Sequence, residues 1–500
     1  MADSSSGRGS PKRKLHESVP PTPALLLPPP LVEKCARKES GVRPKTGSSP
    51  APLDASVLRE IELNIAQFDM QTKSHEASIR QLLSTMSSAQ VNNLIYRLFA
   101  PHYDEHMKGH ARAIDILLGQ LVQVENIAFT NNRIIRGNVL EMSCGTGSVI
   151  KLLSSALPPA RLEGMGFVAN DLSEDMAAIA RAKLAGLPVT FTSQDVKLLP
   201  FPAKMFGTAI LSQTIHLITD EDVVRQEREE NYMNVDEDRH LDQKYRAVAN
   251  AWNSLEDGGT FLLIDEWPAM LSDRGGPLGP GFRYLFNDEL RPISRDAFQG
   301  SIMETLPGSC FVAHLKVAID SKHHMNVIAY RKQPKTGSSR IPPPPDYAAE
   351  RRKAFEKVLE IFKRIDRDFI GSMEPTGGEP WIRLLPMHEG VKVVSDPKEE
   401  YLGDSANNCV VINQCLHGLE PYDRYDLISG AVSSLKLGGS LIIVDEWNPP
   451  EGKRPLRLNS LKPLYMNRFS KFLVFAGSVR VPISAAFDSG MYGFEYRKVF

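Results

Sequence analysis

Long hydrophobic runs, paired cysteines and an excess of one charge are all scarce in this sequence. No apolar run approaches the roughly 18 to 20 residues that a membrane-spanning helix needs. The five cysteines are scattered and odd in number, which argues against a disulfide framework and a cysteine-based zinc site. Lys and Arg number 59 against 60 Asp and Glu, so no global charge favours nucleic acid or an anionic membrane. We therefore expect a soluble protein of a reducing compartment, the cytoplasm.

Two Pro-rich stretches divide the 500-residue chain. Residues 1–50 contain nine Pro, with nine Lys/Arg against four Asp/Glu, and have few periodic apolar residues. Such a segment buries too little apolar surface to offset the conformational entropy that it would lose on folding. Its basic cluster Pro11–Lys14 could serve as a nuclear import signal. A run of four prolines near residue 343 predicts a stiff linker. The expected segments are a disordered tail over 1–53, a helical cap over 54–97, a main domain over 98–332, the linker over 333–346 and a second domain over 347–500.

Short apolar runs alternate with helical periodicity between residues 138 and 264. The predicted strands are Val139–Met142, Met165–Val168, Val189–Thr192, Thr208–Leu211 and Thr260–Ile264. Predicted helices include Asp175–Leu184, Lys244–Leu255 and a helix over 100–122 with Pro101 in its first turn. The alternation predicts an α/β fold with a mostly parallel sheet that helices cover on both faces.

The smaller region repeats three segments of the larger one in the same order. The matches are Gln213–His216 with Gln414–His417, Asp257–Pro268 with Leu437–Asn448, and Tyr330–Lys332 with Tyr496–Lys498. Residues 138–185 have no counterpart, and Val391–Pro397 resembles Val189–Asp195 only loosely. We predict a duplication whose second copy is truncated.

The segment Val139–Ser148 joins an apolar strand to a glycine loop and then to a helix. Gly145 and Gly147 allow close approach to the backbone, and the helix N-terminus offers unpaired N–H groups. Glu141 lies inside the strand just before the loop. An acid there suits a cationic amino group better than a phosphate.

Acidic residues also follow the next two strands. Asp171 comes after the second strand, where a carboxylate can accept two ribose hydroxyls. Gln194 and Asp195 end the third strand, where an acid can accept a proton from an adenine amine. Because such strand ends meet at one edge of a parallel sheet, we expect one nucleoside-like ligand there.

Residues 98–332 resemble the class I S-adenosylmethionine-dependent methyltransferases. The segments that carry the resemblance are Phe99–Asp104, Val139–Gly147, Ala169–Leu172, Ser193–Val196, Leu211–His216 and Glu256–Glu266. The resemblance implies a Rossmann-like, seven-stranded methyltransferase sheet, followed by a second truncated α/β domain of the same type without the cofactor loop. One departure is Ser143, which stands where the family has its first loop glycine and could crowd the cofactor.

The resemblance implies S-adenosylmethionine as the cofactor and a role for each matching residue. Glu141 would take the methionine amino group, Asp171 the ribose and Asp195 the adenine amine. The full expected cofactor-binding set is Tyr103, Glu141, Ser143, Cys144, Gly145, Gly147, Asp171, Leu172, Gln194, Asp195, Val196, Ser212 and Gln213. We expect no metal, because the histidine triplet His102, His106 and His110 has no further ligand in sight.

Two side chains are candidates for catalysis on the methyl acceptor. His216 follows the fourth strand and could remove a proton, and Glu266 ends the fifth strand; both recur in the second copy, which favours a structural use. The run 220–242 is expected to be a solvated surface arm, and residues 267–292 a substrate lid.

The expected function is methyl transfer to an acceptor that the sequence does not name, a small molecule in preference to nucleic acid or a membrane component. The second copy is expected to pack on the first domain or on a partner protein. One alternative is a catalytically inactive scaffold or interaction protein. Another, a nicotinamide-dependent oxidoreductase, is disfavoured because no glycine completes a Gly-x-Gly-x-x-Gly loop.

Overall fold

The computed structural model describes residues 59, 83, 86–129, 133–199, 201–229, 237–267, 290–319, 323–334, 346–372, 391–394, 407–413, 421–447, 466–484 and 487–499. The predicted tail, most of the predicted cap, linker and lid, and the segment Gln414–His417 lie outside these residues. No helix in the described part of the chain has the length and apolar character needed to cross a membrane.

The helices are α1 (Ser88–His106), α2 (Lys108–Ala128), α3 (Ser148–Ala156), α4 (Pro159–Leu162), α5 (Glu174–Lys183), α6 (Glu221–Glu229), α7 (Leu241–Ser254), α8 (Arg295–Ala297), α9 (Tyr347–Ser372) and α10 (Pro421–Ser434). The strands are β1 (Val139–Glu141), β2 (Phe167–Asn170), β3 (Val189–Thr192), β4 (Phe206–Ser212), β5 (Leu255–Glu266), β6 (Ser309–Ala318), β7 (His324–Lys332), β8 (Val391–Val394), β9 (Asn407–Asn413), β10 (Leu435–Trp447), β11 (Leu473–Ser484) and β12 (Phe487–Lys498).

A capping box starts α1, well before the predicted helix start at Pro101. The Ser87 hydroxyl accepts from the Gln90 backbone N–H at 3.2 Å, and the Gln90 side chain accepts from the Ser87 N–H at 2.9 Å. Pro101 lies inside the helix, which continues to His106. The prediction was wrong because a proline removes only one helical hydrogen bond, and a long, well-capped helix can tolerate that loss.

The twelve strands of the described part of the chain belong to one sheet, in the order β3-β2-β1-β4-β5-β7-β6-β11-β12-β10-β9-β8. Strands β1 to β5 pair in parallel, and β7 and β6 join them antiparallel. Every residue of β4 is buried, as expected for a strand covered on both faces. One face packs against α2, α3 and α9, and the other against α7 and α10.

Pairing of β6 with β11 joins the two halves of the chain edge to edge. The strands are antiparallel, with Gly477 opposite Leu315 and Val479 opposite Ala313. A Cβ at Gly477 would lie 3.2 Å from the His314 carbonyl oxygen, so glycine eases this close approach. The expected seven-stranded sheet is therefore part of a twelve-stranded one, because pairing satisfies the open backbone groups of both edge strands.

The order of the second half, β8-β9-β10-β12-β11, mirrors the order β1-β4-β5-β7-β6 of the first. Strand β8 pairs in parallel with β9, as β1 does with β4. The loose match of Val391–Pro397 to β3 was therefore wrong, and so was the expectation that the second half lacks a first strand. Among the described residues, the strands without a counterpart are β2 and β3.

The repeated segments make the same contacts in both halves. The Lys332 ammonium donates to the carbonyls of Trp252 and Leu255, both at 2.8 Å, where α7 ends. The Lys498 ammonium donates to the carbonyls of Val432 and Leu435 at 2.9 and 2.7 Å, where α10 ends. These lysines tie a helix end to the sheet, which gives the repeat of Tyr-Arg-Lys a structural reason.

Candidate active site

One pocket opens at the carboxyl ends of β1 to β4 and is roofed by α1. The space between its lining residues, counted together with the open mouth, is about 840 Å³. Ten of the thirteen expected cofactor-binding residues line it: Tyr103, Ser143, Gly145, Asp171, Leu172, Gln194, Asp195, Val196, Ser212 and Gln213. The other three, Glu141, Cys144 and Gly147, are not among its lining residues.

The two loop glycines serve different purposes. Gly145 has φ +51° and lines the pocket, where a Cβ would meet only Met176 at 3.5 Å and the Tyr103 hydroxyl at 3.9 Å. Gly147 has φ +78°, and a Cβ added there would lie 2.8 Å from Cδ1 of Leu184, the residue that follows α5. Gly147 therefore permits close packing of the loop on α5. Cys144 is buried, and burial raises the pKa of its thiol, so it is a poor nucleophile.

Asp171 is held rigidly at the end of β2. One carboxylate oxygen accepts the Gly145 N–H at 2.7 Å, and the other accepts the Ser173 N–H at 2.9 Å. Burial raises the pKa of this carboxyl to about 6, although both backbone donors favour the charged form. Each oxygen keeps lone-pair capacity for a further donor, so the group can accept hydroxyls from a ligand.

Glu141 is a buried carboxylate without a hydrogen-bond partner among the described residues. It is 1% exposed, and the Ile150 N–H that faces it lies outside hydrogen-bond geometry. Burial, together with the charge of Asp171, raises its pKa well above the usual range. A cation near Glu141 would relieve this cost, so the site fits a ligand with an ammonium group close to the glycine loop.

Asn170 ties together the ends of the first three strands, a role that sequence reasoning missed. Its Nδ2 donates to the carbonyls of Met142 and Gln194 at 2.8 and 2.9 Å. Its Oδ1 accepts from the Gln194 N–H at 3.0 Å and from the Thr192 hydroxyl at 2.8 Å. The signal was a polar residue in the otherwise apolar strand β2, fully buried in the structure.

The roof helix α1 is fastened at its C-terminal end to the glycine loop. Asp104 accepts from the Thr146 hydroxyl at 2.6 Å and from the Lys183 ammonium at 2.7 Å. This fastening holds the neighbouring Tyr103 above Gly145. Tyr96, two helical turns earlier, also lines the pocket, with its ring centroid 6.5 Å from that of Tyr103. Neither Asp104 nor Tyr96 was predicted, although the helical spacing of the two tyrosines could have indicated a shared face.

The two predicted catalytic residues lie beside the pocket but do not line it. His216 Nδ1 is 3.3 Å from Asp265 Oδ1, and both side chains are buried. Glu266 Oε2 is 3.0 Å from His110 Nε2, which comes from α2. The histidine triplet is divided between two helices, since α1 ends at His106, and no metal-binding group of three ligands occurs in the described residues.

The charged run 220–242 is not wholly a solvated arm, as had been expected. Glu227 is 3% exposed and accepts from Arg291 Nε at 2.8 Å, with His240 Nε2 3.2 Å from its other oxygen. Nearby, the buried Lys244 ammonium donates to the carbonyls of Ile218 and Arg291 at 2.9 and 2.8 Å. The sequence pattern showed the charges but could not show that they pair with one another inside the protein.

Comparison with known proteins gives one family match and several remote structural likenesses. A family model described as a methyltransferase domain matches residues 139–229. No curated protein sequence matches the chain.

Among solved structures, a SAM-dependent methyltransferase from Thermotoga maritima, described as a possible histamine N-methyltransferase, is 18% identical with a TM-score of 0.31, covering 48% of this chain and 99% of that one. The magnesium protoporphyrin IX methyltransferase of Synechocystis PCC 6803 is 17% identical with a TM-score of 0.30, covering 46% and 88%. The [4+2]-cyclase SpnF is 15% identical with a TM-score of 0.33, covering 49% and 96%. Scores this low carry no argument about function.

Proposed function

We propose that this chain, whose residues 139–229 match a methyltransferase-domain model, is a class I S-adenosylmethionine-dependent methyltransferase that transfers a methyl group to a small-molecule acceptor. The observation that carries the proposal is the convergence of two carboxylates with complementary demands. Asp171 lines the pocket with lone pairs available, and Glu141 lies unpartnered behind the glycine loop. A diol and an ammonium group in one ligand would satisfy both.

The residues of this chain fit the cofactor in the following way. Asp171 would accept the ribose hydroxyls, Asp195 the adenine amine, and Glu141 would face the methionine amino group, directly or through water. Leu172 and Val196 would contact the adenine faces, and Tyr103 would cover the loop from α1. When bound, the cofactor supplies an electrophilic methyl group on a sulfonium centre. The protein has to align an acceptor with that centre and exclude water.

The loop after β4 would border the methionine end. Gln213 adopts φ +49°, an unusual conformation for a residue with a side chain, and its N–H donates to the Ile264 carbonyl at 2.7 Å. Strain of this kind persists where the surrounding structure enforces it, commonly at functional sites. The bond to β5 would keep Ser212 and Gln213 in place beside the reacting centre.

His216 and Asp265 form a buried pair next to the pocket-lining residues Thr214 and Leu217. Asp265 lies 3.3 Å from His216 Nδ1 and also accepts the Glu266 N–H at 2.8 Å, so its orientation is fixed. We propose that His216 accepts a proton when the acceptor begins protonated, with Asp265 stabilising the charged imidazole. Glu266 would keep a positioning role through His110.

We further propose that the second half is a degenerate copy that extends the sheet and does not bind the cofactor. The matching strand order, the paired lysines and the equal Asp–Glu contacts support common ancestry: Glu446 donates its N–H to Asp445 at 2.7 Å, as Glu266 does to Asp265. Among the described residues, this half has no counterparts of β2 and β3, which carry Asp171 and Asp195 at their ends in the first half.

The experiment is methyl transfer from S-adenosylmethionine labelled with tritium in the methyl group. The full chain is incubated with three separate fractions of a cell extract: small molecules below about 1 kDa, RNA, and protein. We expect label in the small-molecule fraction, and at least about tenfold less with the Asp171→Asn variant when the cofactor concentration is kept below the wild-type Kd. Label confined to RNA or protein would contradict the small-molecule acceptor. Absence of label from every fraction, despite cofactor binding, would contradict the enzymatic role.

A further inference from the structure

The pocket is lined by more residues than those assigned to the cofactor, and several of the additional ones belong to α1. Ser88, Asn92 and Tyr96 line it from one face of this helix. Thr214 and Thr219, which come from the segment after β4, also line the pocket. We call these five residues the acceptor subsite.

Two polar atoms in the acceptor subsite lack partners. Ser88 is 3% exposed and its hydroxyl oxygen has no hydrogen bond to any described residue; the same holds for the buried Oδ1 of Asn92. A buried polar atom left unsatisfied costs about 1–3 kcal/mol. Both residues line the pocket, so a small rotation of either side chain would turn its oxygen toward a bound molecule. The amide oxygen of Asn92 can only accept, and it therefore requires a ligand that donates.

The direction of α1 separates the acceptor subsite from the glycine loop. The helix is fastened to that loop at Asp104, and a rise of about 1.5 Å per residue places Asn92 roughly 16 Å from Tyr103 along the axis. Burial raises the pKa of Tyr96 well above its usual value, as do the nearby charges of Tyr103, Asp171 and Asp265. Tyr96 is thus close to charged groups at the ends of β2 and β5.

The charges around the pocket disfavour an anionic acceptor. Lys197 is the cationic side chain among the described lining residues. Its ammonium lies 3.5 Å from Asp195 and 3.4 Å from the Thr219 carbonyl oxygen, so it is already engaged. Asp171 and Asp195 would repel a carboxylate or phosphate.

We propose that the acceptor subsite binds the methyl acceptor, and that this acceptor is a small neutral or cationic molecule recognised through its own O–H or N–H donors. The inference rests on the proposed function and adds to it the chemical class of the substrate. The side-chain oxygens of Asn92 and Ser88 accept hydrogen bonds from the acceptor molecule. The ring of Tyr96 lies between these two residues and the cofactor.

The test uses the full chain saturated with S-adenosylhomocysteine and two matched probe sets, benzyl and cyclohexylmethyl, each as the alcohol, the primary amine and the carboxylate. Dissociation constants are measured by ligand-observed NMR. We expect alcohols and amines to bind about tenfold or more tightly than the carboxylates. Asn92→Leu and Ser88→Ala should each weaken alcohol and amine binding about tenfold, the loss of one hydrogen bond, and leave the affinity for S-adenosylhomocysteine within about twofold. Arg97→Leu, at an exposed position on the same helix outside the lining, is the matched control and should change neither.

Three results would overturn the proposal. If the carboxylates bind as tightly as the alcohols and amines, the pocket does not disfavour anionic acceptors. A lack of response to every alcohol and amine would remove the donor requirement. Loss of S-adenosylhomocysteine affinity in Asn92→Leu would assign these residues to the cofactor. Failure of the wild-type chain to bind S-adenosylhomocysteine at all is a separate result, which would contradict the proposed function itself.

Discussion

Replacement of Asp171 by Asn separates the cost of burying a carboxylate from its use in binding. Burial raises the pKa of this group from 3.8 to about 6, a difference of roughly 2 units or about 3 kcal/mol. Because the pKa is higher in the folded protein, the carboxyl favours folding below about pH 4 and loses that contribution as the pH rises through 6. The neutral Asn side chain avoids this cost but turns an NH₂ group toward one of the two backbone N–H donors. We therefore expect the variant to be at least as stable as the wild type near neutral pH.

The same substitution should weaken cofactor binding. Asp171 is a charged acceptor, and hydrogen bonds to charged groups contribute about 1.5–3 kcal/mol. We expect the Kd for S-adenosylhomocysteine to rise about 10- to 100-fold near pH 7.5. A gain or no change in the free energy of unfolding, together with this loss, would identify a residue kept for binding at the expense of stability.

The pH profile gives a sharper test. Ligand hydroxyls need the ionised carboxylate, so wild-type affinity should fall about tenfold as the pH drops one unit below the pKa of about 6. Glu141 also has a raised pKa and faces Asp171, so part of the profile belongs to Glu141 and remains in the variant. The quantity to compare is the difference between the two profiles, measured by calorimetry at about pH 5, 6, 7 and 8. Parallel profiles, or a variant that binds within threefold of the wild type, would refute the placement of the ribose at Asp171.

Three further predictions concern the loop and its roof. Ser143→Gly should leave S-adenosylhomocysteine affinity unchanged or raise it modestly in calorimetry; a loss would mean that the hydroxyl itself is a ligand. Asp104→Asn should speed dissociation of S-adenosylhomocysteine severalfold in stopped-flow experiments, because it loosens the fastening of α1, with little change in Tm since Asp104 is 48% exposed. The control Glu105→Gln alters an exposed pair with Lys108 and should leave the rate unchanged. Gly147→Ala should destabilise the fold by about 1–3 kcal/mol more than Gly164→Ala, since both have similar positive φ but only Gly147 is crowded by Leu184. Equal denaturation midpoints for the two alanine variants would contradict the packing role.

The parallel half of the sheet could be predicted because its strands carry their signal locally. Runs such as Val189–Thr192 combine β-branched and aromatic residues and are bounded by turn residues, and the structure reproduces that strand with the same bounds. Glu141 was recognisable as an acid in an apolar strand. Asp171 was recognisable from its position after a strand. These inferences needed only the rule that parallel strands end at one edge.

Other features depend on contacts between distant segments, which no local pattern carries. The pairing of β6 with β11 joins residues more than 150 positions apart. The position of β8 is set by its parallel pairing with β9, and the sequence of its four residues does not indicate that partner. Burial of Glu227 requires Arg291 and His240, and a single charged run cannot indicate which of its members find such partners. The packing of Gly147 against Leu184 could not be predicted either, because these two residues are distant in sequence.

Calorimetric titration of the full chain with S-adenosylhomocysteine tests the central claim most directly. A pocket with a ribose acceptor, an adenine acceptor and a buried partner for the amino group should bind with a Kd between about 1 and 50 μM, which at 1 μM corresponds to about 8 kcal/mol. We expect one site per chain, because among the described residues it is the first half that brings strand-end carboxylates to such a pocket. The absence of measurable binding would contradict the account, and a stoichiometry of two would contradict the division of roles between the two halves.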